Sequence, residues 1–276
     1  MAHNLSSSKN FNTQETEQVE GEVFRENPVA VLARHLAGQY VLSQEVIGKP
    51  LPLHRLEQQE RFLNGAYQHF SSTVQQDITP SYAAEWLLDN FFVVQQAIRQ
   101  IREDMPSSYY QQLPKLKNTA WAKYPRIYAL GQETIAYSNS QINIEDTVAL
   151  LQAFQAGGVS LTMGELWAFP TMLRLGILES LTTALAHHIQ AETPSASAVP
   201  SVTDDSLVGY CITSLRMLAI QDWKSFFESV CVVEQILRLD PAEVYPTMDF
   251  DTRNSYRTAI ENLARLTRQA EEEVAR

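Results

Sequence analysis

Two groups of residues have the types and spacing to do chemistry. Glu85, Asp89, Gln96, Arg99 and Glu103 fall on one face of a helical projection, with Trp86 at its edge and Phe92 among them. Carboxylates beside an aromatic ring suit a sugar groove, because the ring stacks on C–H faces while the carboxylates accept from hydroxyls. Glycoside hydrolysis needs two carboxylates at a set separation, and spacing in a sequence does not fix that separation. The same face also fits a solvated surface with i,i+3 and i,i+4 pairs, so both alternatives stand. The second group is Glu165, Trp167, Arg174 and Glu179. Glu165, Met172 and Glu179 recur at seven and share a face, while Trp167 and Arg174 recur at seven on another. Their surroundings are so apolar that a charge there needs a partner. Arg174 is therefore expected to meet a carboxylate of a neighbouring helix, with Asp89 and Glu85 as candidates.

Other chemistries find less support. The chain has no glycine-rich phosphate loop, no His-Glu-x-x-His and no Gly-x-Ser-x-Gly. His187 and His188 are adjacent and point about 100° apart on a helix, so a solvated helix end is expected there and no metal is assigned. Cys211 and Cys231 sit in apolar stripes as buried thiols, without disulfides. Asp249-Phe250-Asp251 has the Asp-x-Asp form used by metal-dependent sugar transferases. It leads into a helical pattern, so Asp251 is read as a helix N-cap.

The elements that must position these residues read as helices. Leu87, Phe91, Val94, Ile98 and Ile101 form a stripe bounded by Pro80 and Pro106. Thr162-Met163-Gly164-Glu165 is a capping box opening a helix that is apolar on nearly every face to Ile189, with Pro170 expected to kink or break it. Pro28 to about Ser43 and Leu53 to about Val74 form an opening pair. Pro125 suits the first turn of a helix through Ile135, and Asn143 can cap Ile144 to Phe154, ended by Gly157-Gly158. Leu207 to Leu218, Trp223 to Leu239 and Thr252 to Val274 carry apolar steps of three and four. The expected fold is all-α, about nine helices in antiparallel hairpins forming a bundle or short α/α array, with almost no strand. Residues 1–27 read as a disordered or extended polar N-terminus. Residues 28–276 read as a single all-α domain with a flexible loop at 191–205, whose Thr193–Asp205 run is rich in Pro, Ser and Ala.

Composition agrees. The 276 residues include 10 Gly, sparse for a sheet protein, and 45% hydrophobic residues, enough for a core. The 21 Lys+Arg against 32 Asp+Glu leave a net charge of −11, which argues against a nucleic-acid partner. No stretch reaches the roughly 20 apolar residues of a membrane span, and the start lacks an apolar signal core. The expected chain is soluble, intracellular and acidic.

Longer motifs carry a family resemblance. Glu85-Trp86-Leu87-Leu88-Asp89-Asn90, Ile101-Arg102-Glu103-Asp104-x-Pro106, Tyr109-Tyr110 and Leu113-Pro114-x-Leu116 come first. They are followed by Pro125-Arg126-Ile127-Tyr128-Ala129-Leu130 and by Gly164-Glu165-Leu166-Trp167-Ala168-x-Pro170-x-Met172-Leu173-Arg174-Leu175. Phe226-Phe227-Glu228-Ser229-Val230, Val244-Tyr245 and Met248-Asp249-Phe250-x-Thr252-Arg253-x-x-Tyr256-Arg257 complete the set. From about Pro28 to Arg276 this order resembles the N-terminal region of bacterial cyclic β-1,2-glucan synthases. Gly131, Ser180 and Asp251 depart from the pattern.

The resemblance implies a large inner-membrane enzyme that polymerises glucose from UDP-glucose, with a divalent metal, in regions beyond this segment. It implies no catalytic residues and no cofactor here. The segment would lie on the cytoplasmic side of the inner membrane, with the remainder of the synthase as partner. The sequence ends within a helical pattern, Gln269 to Arg276, as expected of a piece of a longer chain. Glu85, Trp86, Asp89, Asn90, Arg126, Tyr128, Glu165, Trp167, Arg174 and Glu179 are the candidate binding residues. The main expectation is a non-catalytic scaffold or interaction domain, and the alternative is a glucan-binding or glycosidase-like helical domain built on the Trp/carboxylate groove. A free-standing regulatory protein is a third reading.

Overall fold

The structure, a computed structural model, describes residues 27–43, 53–76, 79–191 and 202–276. The polar segment expected at 1–27 lies outside these residues except for Asn27. The described chain is all-α. Nine helices of seven or more residues are α1 (Pro28–Gln39), α2 (Leu53–Gln75), α3 (Tyr82–Asp104), α5 (Arg126–Tyr137), α6 (Ile144–Ala156), α7 (Met163–Ala191), α8 (Val202–Ile220), α9 (Trp223–Val230) and α11 (Phe250–Thr267). Three short ones, α4 (Ser107–Gln112), α10 (Val232–Leu237) and α12 (Glu271–Ala275), join them. Among the described residues the extended pairings are two isolated bridges, Leu42 with Leu116 and Lys115 with Pro125.

Local chemistry sets many of the starts. Asn27, Ser81, Asn143, Asp222 and Asp249 each place a side-chain oxygen on a backbone N–H of the first helical turn. The capping box of α7 forms as expected: Glu165 N donates to Thr162 Oγ1 at 3.2 Å, and Thr162 N to Glu165 Oε2 at 2.9 Å. α7 is the hub, buried on nearly every face from Leu166 to Leu178 and packed against α2, α3, α5, α8 and α9. α3 runs antiparallel to it, because Ser81 at the start of α3 meets His188 and Asp104 at its end meets Arg174. α8 folds back along α7 as a hairpin, and Gly131 of α5 lets α7 approach closely. A Cβ at Gly131 would lie 3.2 Å from Met172 Cβ, which explains a glycine at this position.

Several boundaries differ from the expectation. α7 continues through Pro170 as one helix, so the break does not occur there. Pro125 is the cap residue of α5, with extended ψ 140°, and is not in its first turn. Of the loop expected at 191–205, Ala191 belongs to α7 and 202–205 to α8, and residues 192–201 lie outside the described set. The segment from Trp223 to Leu239 is two helices. Cys231 takes ψ 114°, capping α9 with its N–H and α10 with its sulfur. The segment from Thr252 to Val274 also divides, at Arg268, whose left-handed φ of 58° ends α11. Asp249, not Asp251, is the N-cap of α11. The helix starts two residues earlier, at Phe250, because the Asp249 carboxylate accepts from Thr252 N; the Phe250 ring lies 4.5 Å from Lys224 Nζ and 4.7 Å from Arg257 Cζ.

Candidate functional site

The candidate residues assemble as pairs. Arg126 and Glu165 are both buried and form a two-pronged ion pair, Nε to Oε1 at 2.9 Å and Nη2 to Oε2 at 2.6 Å. Arg126 also donates to Ser160 O, and Glu165 closes the capping box, so this pair clamps the start of α5 to the start of α7. Tyr128 and Glu179 form the second pair. The Tyr128 hydroxyl donates to both Glu179 oxygens at 3.2 and 3.3 Å, and Gln132 Nε2 donates at 2.8 Å. Burial pushes the Glu179 carboxyl above the usual carboxylate range, against the pull of those two donors. Tyr128 is stacked on Tyr124, with Trp121 edge-on to both.

The third pair, Trp167 and Arg174, lines a cavity of about 460 Å³ with Asp104, Tyr109, Gly164, Pro170, Thr171, Trp223 and Glu261. Phe227 covers one face of Trp167, with ring centroids 4.3 Å apart. Arg174 is buried beside the Trp223 ring and donates Nη2 to Leu218 O at 3.1 Å. Its carboxylate neighbour is Asp104, 3.9 Å from Nη1, and neither Asp89 nor Glu85. The antiparallel run of α3 decides this, since it carries the end of that helix, and not its beginning, to Arg174. A second cavity of about 440 Å³ shares Tyr109, Gly164 and Glu261 with the first and continues past Gln112, Arg265 and Glu271.

Glu85, Trp86, Asp89 and Asn90 are not part of this hollow. Trp86 and Asp104 are 18 residues apart on α3, about 27 Å along its axis. Trp86 lies flat on Gly209 of α8, where a Cβ would sit 3.3 Å from the indole. Asn90 is buried and donates Nδ2 to Trp86 O at 2.8 Å, while Glu85 and Asp89 face solvent. A single groove joining Trp86 to Trp167 is therefore not formed. The solvated alternative describes these two carboxylates.

The structure also gathers a charged network that spacing alone did not single out. Glu234 and Arg257 are buried and meet at 2.6 Å. Glu234 further accepts from Arg238 Nε at 2.8 Å and the Tyr245 hydroxyl at 2.7 Å, and Glu228 accepts from Arg253 Nη2 at 2.6 Å. In one continuous helix Glu228 and Glu234 would point about 120° apart. The turn at Cys231 lets both face the same arginines. Burial raises the Glu234 carboxyl, but hydrogen bonds from Tyr245 and Arg257 outweigh it and hold the group below its ordinary value. The motif residues Glu228, Tyr245, Arg253 and Arg257 thus fasten α9 and α10 to α11.

His188 is buried, not solvated. Ser81 Oγ accepts from Ala84 N, lies 2.7 Å from His188 Nε2, and Asp205 lies 3.4 Å from Nδ1. This line of contacts ties the start of α3 to the end of α7 and the start of α8. Both cysteines are buried free thiols with raised pKa. Among the described residues no group of three or more His, Cys, Asp or Glu could hold a metal ion, and no helix is long and apolar enough to cross a membrane.

No protein-family model matches the chain. Over 80% of its length it is 27% identical to the cyclic beta-(1,2)-glucan synthase NdvB of Rhizobium meliloti (strain 1021). The matched region spans 10% of that protein, so the chain is similar to a small part of a much longer synthase. The resemblance read from the motifs is thereby borne out in the aligned sequence.

Proposed function

We propose that this chain is the N-terminal helical segment of a bacterial cyclic β-1,2-glucan synthase. In this proposal it acts as a non-catalytic scaffold that docks on the rest of that enzyme at the cytoplasmic face of the inner membrane. UDP-glucose and any divalent metal would be handled by other regions. The observation carrying this reading is that the motif side chains are spent inside the fold. Arg126 with Glu165, Tyr128 with Glu179, and Glu228 and Glu234 with their arginines each join one helix to another. Residues used in that way fix the shape of a surface. Such a surface is present: Leu239, Val244 and Tyr256 are exposed and line, with Ile236 and Met248, a largely apolar hollow of about 610 Å³.

Incubating the purified chain with UDP-glucose and Mg²⁺ or Mn²⁺ tests the non-catalytic half of the proposal. The expected outcome is neither free glucan nor glucose attached to the chain. Either product would overturn the scaffold reading.

A further inference from the structure

The two adjoining cavities do not take part in the docking argument, and their chemistry is of another kind. Together they form a groove from Trp223 and Trp167 past Tyr109 to Glu271, drawing on α3, α4, α7, α9, α11 and α12. Each half, at about 460 and 440 Å³, lies in the size range of small-ligand sites. Trp167, Trp223 and Tyr109 supply aromatic surface. The interior also holds a charged donor that the fold does not use up. Arg174 is 4% exposed, its one hydrogen bond among the described residues goes to Leu218 O, and Asp104 stands 3.9 Å from Nη1 and half exposed. A guanidinium has five N–H groups, more donors than Leu218 O can accept, and Arg174 is among the residues lining the groove.

Charge selects the ligand class. The inner half sets Asp104 and Glu261 against Arg174, and the outer half sets Glu261 and Glu271 against Arg265. Carboxylates thus outnumber the cation in the inner half, which disfavours phosphate and nucleotide ligands there. A neutral polyhydroxylated chain has what the lining needs: C–H faces for the rings, hydroxyl donors for Asp104 and Glu261, and hydroxyl acceptors for Arg174. We propose that this groove binds a neutral glycan chain. The choice of a β-1,2-linked glucan as its occupant rests on the synthase reading, whereas the groove itself does not.

Isothermal titration with linear and cyclic β-1,2-glucans tests the proposal, with UDP-glucose as the anionic control. The expected result is saturable heat with the glucans and none with UDP-glucose. Asp104→Asn and Glu261→Gln, both at exposed positions, should each weaken glucan binding on the order of tenfold, with circular dichroism and urea unfolding to confirm that the Asp104 variant, which loses the carboxylate beside Arg174, stays folded. Trp223→Ala should abolish it, with circular dichroism to confirm a folded chain. No heat at millimolar glucan overturns the proposal, as does binding that all three variants leave unchanged. Equal or tighter binding of UDP-glucose overturns the neutral-ligand assignment. If the rest of the synthase binds the chain and Trp223→Ala blocks that binding while glucans give no heat, the groove is a protein seam and the glycan proposal fails with the docking reading intact.

Discussion

Glu271 offers a quantitative test of how the C-terminal helices are held. Its Oε2 accepts from Met163 N at 2.8 Å, so α12 caps the start of α7. Burial, with Glu261 and Glu165 nearby, pushes this carboxyl up to about 7. The ordinary value is 4.5, so the folded state holds a proton that the unfolded state releases across that interval. Stability from this group is therefore full below about pH 4.5 and is lost as pH rises through about 7. The shift converts to roughly 3 kcal/mol at 1.4 kcal/mol per unit, and about 2 after allowance for solvent screening of a group not fully buried. Glu271→Gln keeps an acceptor for Met163 N–H and removes the ionisation. Urea unfolding of wild type and variant at about pH 5 and about pH 8 isolates the effect, because other titrating groups cancel in the double difference. The variant should gain about 2 kcal/mol on wild type between the two pH values and be the more stable at the higher one. A difference independent of pH, or a variant less stable at pH 8, would refute the reasoning.

Three further outcomes follow from the packing. Arg126→Ala leaves Glu165 buried without its partner and should cost about 3–5 kcal/mol in denaturant unfolding; a loss below about 1 kcal/mol would mean water replaces the arginine. Gly157→Ala would put a Cβ 2.9 Å from Ala37 Cβ and 3.1 Å from Phe154 O, where α6 meets α1, and should lower stability by about 1–3 kcal/mol despite its ordinary φ of −70°. Cys211 and Cys231, each buried with its thiol pushed up to about 12, should resist an aromatic disulfide reagent in the native protein and both react after unfolding; prompt labelling of either would contradict their burial.

Much of the helical framework is legible in the sequence because its signals are local. The stripe from Leu87 to Ile101, the Asn143 cap and the Thr162–Glu165 box each lie within one element, and each forms. The turn at Cys231 has no such signal. Neither proline nor glycine marks it, and its consequence is a meeting of Glu228 and Glu234 with arginines on another helix. The left-handed stop at Arg268 is equally unmarked. For the site, pairing was legible in kind and not in partner. That Arg174 needs a carboxylate follows from its apolar helix, but whether it meets Asp89 or Asp104 depends on the direction in which α3 crosses α7. The groove joins Asp104, Tyr109, Trp223 and Glu261 from four helices, so no single spacing in the chain could display it.

The polar motifs hold the helices together, and in the proposed function the apolar surface is what remains for a partner. The central claim is that this surface docks on the remainder of a glucan synthase. It is tested most directly by immobilising the detergent-solubilised synthase lacking this segment and passing the purified chain over it. Saturable, reversible binding that weakens when Leu239 and Tyr256 are replaced by charged residues is the predicted result. Absence of binding at tens of micromolar chain, the range of weak intramolecular domain contacts released from their linker, would contradict it.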